Sequence, residues 1–191
     1  MDLTPPLRLA TAADARELAE LVNFAGEGLP YYLWSQMAKG DQSPWEIGFE
    51  RQAAKAEAGQ IYVVDEGAGA VAGLTGYTIG SEPEAIGPDT PALFKPLLEL
   101  ENRAPMTWYV NVLACYPNHR GKGYGTKLLA LAEDLARAAE RARMSLIVAD
   151  TNTGARRLYV RAGYQEIATA PCVREGWQTK TRNWVLLTKD L

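Results

Sequence analysis

The stretch CYPNHRGKGYGTKLLALAEDLA, Cys115–Ala136, sets one proline, one asparagine and three glycines ahead of a helical pattern. Upstream, MTWYVNVLAC (106–115) reads as the best strand of the chain, because β-branched and aromatic residues dominate and apolar side chains fall on both faces, as in a central strand. Downstream, Leu128, Leu131, Leu135 and Ala138 or Ala139 recur at helical spacing, which predicts an amphipathic helix ending near Arg143. A strand that turns through glycines into a helix leaves the first amides of that helix unpaired at its positive end. Glycine at Gly121, Gly123 and Gly125 removes the Cβ atoms that would keep an anion from those donors, while Arg120 and Lys122 add charge at the rim. The same residues also suit a turn that only reverses the chain, and the rest of the sequence must separate the two readings.

The 191 residues suit one domain spanning 1–191, large enough to bury roughly 70% of the surface of its unfolded form. Hydrophobic residues make up 47% and charged residues 23%, and no apolar run approaches the roughly 20 residues a bilayer demands, so no membrane partner is expected. The first residues, MDLTPPLRLATAADARE, lack the apolar core of a secretory signal, so a cytoplasmic location is expected. A net charge of -3 lacks the electrostatic footprint of a nucleic-acid binder. Cys115 and Cys172 belong to no CxxC pair or His/Cys cluster, so they read as buried free thiols and no metal is expected. His119 is the only histidine, and a Ser-His-Asp or Cys-His hydrolase would have to run through that loop residue.

Residues 7–25 read as a short strand followed by a helix capped by Thr11 or Asp14. A second helix is expected from about Trp45 to Ala58, and residues 60–80 form a hairpin around the turn Asp65 to Gly69. Gly67, Gly69 and Gly73 approximate a dinucleotide fingerprint, but the spacing is one residue too long and a strand follows where a helix is required. Residues 81–105 are proline-rich and acidic, with a short helix at Ala92 to Leu100, and look like an insertion at one end of the sheet. MSLIVAD (144–150) is a further buried strand, and TNTGARRLYVRAGYQEI (151–167) carries a short helix with Asn152 or Thr153 at its N-cap and Gly163 as the left-handed residue beyond its end. RNWVLLTKDL closes as a terminal strand, taken as an edge on which a homodimer could form. Strand and helix alternate through this half, which implies a partly parallel sheet. A nucleoside-triphosphate loop fails on its lysine, since Gly125 is followed by Thr126 and Lys127.

Residues 107–167 closely resemble the GNAT superfamily of acyl-CoA-dependent N-acetyltransferases. Its loop pattern, Arg/Gln-x-x-Gly-x-Gly/Ala, stands here as Arg120, Gly121, Lys122, Gly123, Tyr124 and Gly125. About thirty residues on, the family's strand, asparagine, short helix with tyrosine, and Gly-aromatic pair stand as Asn152, Tyr159 and Gly163-Tyr164. The resemblance implies an α/β (α+β) fold: a mixed, mostly antiparallel central sheet with a parallel splayed strand pair and flanking helices. It also implies acetyl-CoA as cosubstrate, with pyrophosphate on the amides from Arg120 through Gly121, Lys122, Gly123, Tyr124 and Gly125 to Thr126, and pantetheine along the end of the central strand. Leu113 and Cys115 would turn amides toward the pantetheine and the acyl carbonyl, and Asn152 would hydrogen-bond the pantetheine or cap its own helix.

The reaction so implied is acetyl transfer from acetyl-CoA to a primary amine, first of all that of a small molecule, by direct attack through a tetrahedral intermediate. Tyr159 is the expected acid for the leaving thiolate; packing the helix onto the sheet is its alternative role. In several relatives a glutamate or histidine on the central strand accepts the proton of the amine. Tyr109 and Asn111 occupy those positions here, which leaves ordered water or a carboxylate of the 81–105 segment such as Glu101. Tyr31, Tyr32, Trp34 and the segment around Trp177 are candidates for the acceptor pocket or for the core. An acyl-CoA sensor without turnover, a protein N-terminal or lysine acetyltransferase, and a nucleotide-dependent enzyme using the same loop stand as alternatives.

Overall fold

The computed structural model describes residues 3–191. Among them, seven strands join one sheet in the order β1-β2-β3-β4-β5-β7-β6, mostly antiparallel, with β4 (Trp108–Cys115) and β5 (Arg143–Ala149) running parallel. The fold class is the mixed, mostly antiparallel one expected. The chain divides into two compact units, residues up to 75 together with 112–128, and residues 76–111 together with 129–191.

In the first unit β1 (Leu7–Leu9) pairs with β2 (Tyr62–Asp65), and β2 forms a hairpin with β3 (Ala70–Thr78). The Asp65 carboxylate accepts the amides of Gly67 at 2.7 Å and Gly69 at 3.1 Å, which closes the turn. Arg8 ties that carboxylate to Asp14 at the start of α1 (Ala15–Ala25), with ion-pair distances of 2.7 and 2.6 Å. Thr11 holds the N-cap position of a single 3-10 turn and Asp14 that of α1, but the Asp14 side chain accepts no amide of α1; its carboxylate instead accepts the Thr11 amide at 2.8 Å. Leu18 on α1 and Ala56 on α3 (Pro44–Glu57) pack with Ile61 and Val63 into an apolar core. Ser43 and Glu46 form a reciprocal capping box at the start of α3 with Trp45 between them.

One helix was not legible in the sequence. α2 (Leu29–Met37) begins after Gly28, whose φ of 87° only glycine takes without strain, and its LPYYLWSQM has no clean apolar stripe. Aromatic packing holds it: Trp45 of α3 lies 5.1 Å from Tyr31 and 5.8 Å from Trp34, ring centre to ring centre.

In the second unit β7 (Asn183–Asp190) pairs antiparallel with both β5 and β6 (Gln165–Pro171). The C-terminal strand is therefore internal and β6 is the edge, which corrects the expectation of a C-terminal edge. The segment after β3 carries α4 (Lys95–Glu101), offset slightly from the helix expected at 92–100. α5 (Tyr124–Ala138) ends five residues before Arg143, because Glu140 takes a left-handed φ of 54° and the Arg141 amide turns back to the Ala136 carbonyl at 2.9 Å. α6 (Thr153–Arg161) opens at Asn152, whose side chain accepts the Ala155 amide at 3.2 Å, and is followed by Gly163 at φ 93°.

A close approach marks the start of this unit. A Cβ on Gly76 would stand 2.1 Å from the Trp108 ring, which is itself buried. Gly76→Ala should therefore destabilise the protein by about 1–3 kcal/mol, and each kcal/mol should lower the melting temperature by about 2–4 °C in thermal denaturation.

Candidate active site

The glycine loop belongs to the first unit. β4 ends at Cys115, and the Tyr116 amide donates to the Val71 carbonyl at 3.0 Å while its hydroxyl donates to Glu20 at 2.6 Å, so the loop leaves a fixed point. One 3-10 turn, Pro117–His119, follows. Gly121 and Gly123 then adopt φ of 79° and 84°, and a Cβ at either would meet open space. The Lys127 amide makes the first helical bond, to the Gly123 carbonyl at 3.0 Å, so the amides of Tyr124, Gly125 and Thr126 precede the intrahelical ladder. Gly121, Lys122, Gly123 and Thr126 are exposed, and Tyr124 and Gly125 are half-buried. This is a cradle of backbone donors at the positive end of a 15-residue helix, open where side chains would otherwise stand.

The cations beside the cradle are already partnered. Glu66, in the β2–β3 turn, receives Lys122 Nζ at 2.9 Å on one oxygen and 3.1 Å on the other, stands 3.2 Å from His119 Nδ1, and accepts the Tyr124 hydroxyl. Hydrogen bonds from Tyr124 and then Lys122 hold its carboxyl down at about 2, so it is ionised at any physiological pH. In the sequence DEGAGA reads as a turn alone, because 56 residues separate Glu66 from Lys122. Arg120 Nε donates to the Cys115 carbonyl at 3.3 Å. Cys115 and Cys172 are free but half-buried, not fully buried as expected, and desolvation pushes both thiols up.

The second unit holds the expected acid. Tyr159 on α6 is 6% exposed, its ring 5.8 Å from that of Tyr164, whose hydroxyl donates to Met144 Sδ at 3.4 Å. Desolvation pushes the Tyr159 hydroxyl well above the usual phenol range, so it carries its proton at neutral pH. Asn152 caps α6, so the capping role is a fact of its geometry. Trp34 and Trp177 are both 4% exposed, and Trp177 stacks on Trp184 at 5.9 Å; both take the core role rather than that of a pocket wall. Leu113 is half-buried on β4. Among the described residues, no group of three or more His, Cys, Asp or Glu could hold a metal ion, and no helix is long and apolar enough to cross a membrane.

The family model described as "Acetyltransferase (GNAT) family" matches residues 27–164. The chain belongs to the GNAT acetyltransferase family. Solved structures share the GNAT fold over nearly the whole chain. A mosquito arylalkylamine N-acetyltransferase, like 5b, matches with a TM-score of 0.66 at 17% identity, covering 97% of this chain and 99% of its own. A Salmonella typhimurium protein solved with its cofactor acetyl-CoA matches at 0.62 and 19%, covering 100% and 95%. A ribosomal-protein-alanine N-acetyltransferase from Brucella melitensis matches at 0.59 and 20%, covering 97% and 99%. Among curated proteins none matches. The GNAT cradle described above carries one like charge that an anion must meet, Glu66. Glu66→Gln should tighten binding of inorganic pyrophosphate severalfold in titration calorimetry at low ionic strength, and the gain should fade in high salt.

Proposed function

We propose that this GNAT protein transfers the acetyl group of acetyl-CoA to the primary amine of a small molecule. The observation that supports it most is the pair of left-handed glycines, Gly121 and Gly123, with open space at each Cβ and three free-standing amides beyond them. Those amides would hold the pyrophosphate, with Arg120 and Lys122 at the rim. Bound acetyl-CoA supplies an activated acyl carbon. The amides of Leu113 and Cys115 on β4 would orient the pantetheine and hydrogen-bond the acyl oxygen as negative charge grows on it, a donor worth about 3 kcal/mol at such a transition state. Asn152 would contact the pantetheine while it caps α6.

As the amine nitrogen bonds to the acyl carbon and the C–S bond breaks, the sulfur takes up the electron pair and needs a proton. Tyr159 is protonated at neutral pH, and its hydroxyl has no hydrogen-bond partner among the described residues, so its proton is available to a ligand. Transfer to a protein N-terminus or lysine is the second class. Small amines come first because the sequence inserts the bulky 81–105 segment.

The test is to follow free thiol while acetyl-CoA is offered with a panel of small primary amines and of peptides. Thiol release with a small amine supports the proposal; coenzyme A binding without release across the panel replaces it with an acyl-CoA sensor. Tyr159→Phe should lower turnover by at least about tenfold with coenzyme A affinity nearly unchanged. Gly123→Val should do the reverse and abolish coenzyme A binding, since it puts a side chain into the open face of the cradle and strains a left-handed φ.

A further inference from the structure

The second unit holds a polar contact that neither the cradle nor the acid explains. Tyr77 on β3 donates its hydroxyl to Glu101 Oε2 at 2.9 Å, and the Tyr77 ring stands 5.2 Å from that of Tyr109 on β4, tilted by 45°. Tyr77 is 44% exposed and Tyr109 6%, so the ring pair is open on one side and closed on the other. Glu101 is half-buried, and among the described residues no lysine, arginine or histidine pairs with it. A half-buried carboxylate beside two aromatic rings, lacking a protein cation, is complementary to a cationic ligand.

Its placement is built rather than incidental. Glu101 is the last residue of α4, and the Asn102 side chain clasps the backbone of Glu84, accepting its amide at 2.8 Å and donating to its carbonyl at 2.9 Å. The 81–105 segment is thereby pinned at the point where it delivers the carboxylate. We propose that Tyr77, Tyr109 and Glu101 form the seat of the acceptor's ammonium group, and that Glu101 receives the proton the amine must lose before it attacks. This rests on the acetyl-transfer reading and names its substrate class: a primary amine that is a cation in solution.

The proton count closes. The ammonium gives one proton to a Glu101 oxygen, and the freed lone pair forms the C–N bond while the C–S pair leaves on sulfur. Tyr159 protonates the sulfur, the nitrogen's surplus proton restores Tyr159 through solvent, and Glu101 sheds its proton to solvent. The groups facing Glu101 are Tyr77 from β3, Tyr109 from β4 and Glu84 from the segment before α4. Burial raises its proton affinity most, the Tyr77 hydrogen bond opposes that, and the Glu84 charge adds to it. The negative end of α4 acts in the same upward direction. A base so raised is a better match for an amine than an exposed carboxylate.

Glu101→Gln keeps the shape and an acceptor for Tyr77. The experiment compares it with the wild type for coenzyme A affinity by calorimetry, for steady-state kinetics against 2-phenylethylamine and putrescine across pH, and for binding of their N-trimethyl analogues, which carry the charge but cannot be acetylated. The expected result is unchanged coenzyme A affinity, loss of kcat/KM at pH 7 by about a hundredfold, an acid limb of the pH profile that no longer follows the carboxylate, and loss of analogue binding. Tyr77→Ala should weaken analogue binding while Tyr77→Phe should retain most of it. A wild type that binds no coenzyme A defeats the acetyl-transfer reading itself. Coenzyme A binding and amine acetylation that survive in Glu101→Gln, or a wild type that acetylates the amines but binds neither trimethyl analogue, overturn the seat and leave that reading standing.

Discussion

The left-handed turn at Gly121 and Gly123 is the constraint on which the rest depends. A chain of L-residues with side chains would resist φ near 80° at both positions, and the cradle would either not form or be filled. With glycine there, the backbone presents its donors outward at the start of α5, at the end of the helix where the macrodipole is positive. Recognition by backbone amides is insensitive to side-chain rotamers and costs no side-chain ordering. That suits a site meant for the invariant part of a ligand and leaves the variable part to other elements.

Charge around the cradle is balanced rather than simply positive. Glu66 gathers Lys122, His119 and Tyr124, so the Lys122 charge is offset in the free protein while Arg120 meets only the Cys115 carbonyl. Lys122 and Tyr124 are thereby held in place before any ligand arrives, at the cost of a like charge that the ligand must meet. In the second unit the logic is the opposite one. Tyr159 is buried and Glu101 half-buried without a protein cation paired to it among the described residues, and desolvation raises the proton affinity of each. In the proposed acyl transfer the buried phenol would serve as a reserve of protons and the half-buried carboxylate as a sink for them.

Much of this was written in local sequence. The glycine loop, the central strand, the hairpin, the Asn152 cap and the Gly163 stop are all short-range features, and each stands where the residues put it. The GNAT membership was legible for the same reason, since its motifs are contiguous. What escaped notice depended on distant partners. α2 is held by Trp45 from the next helix rather than by its own periodicity, and β7 turns out to be internal because β6 covers it. Trp34 packs at a tilt against Trp45 and Trp177 stacks on Trp184, and both are core. Glu66 lies 56 residues from Lys122, and Glu101 lies 24 from Tyr77, so no window of sequence contains either pair. The early end of α5 is a milder case, set by Glu140 accepting a conformation that glycine usually supplies.

Titration calorimetry of the folded protein with coenzyme A and, separately, with pantetheine tests the central claim most directly. If backbone amides between Arg120 and Thr126 grip the pyrophosphate, coenzyme A binds and pantetheine, which lacks it, does not. Equal affinity for the two, or no heat with coenzyme A at high concentration, would contradict the account.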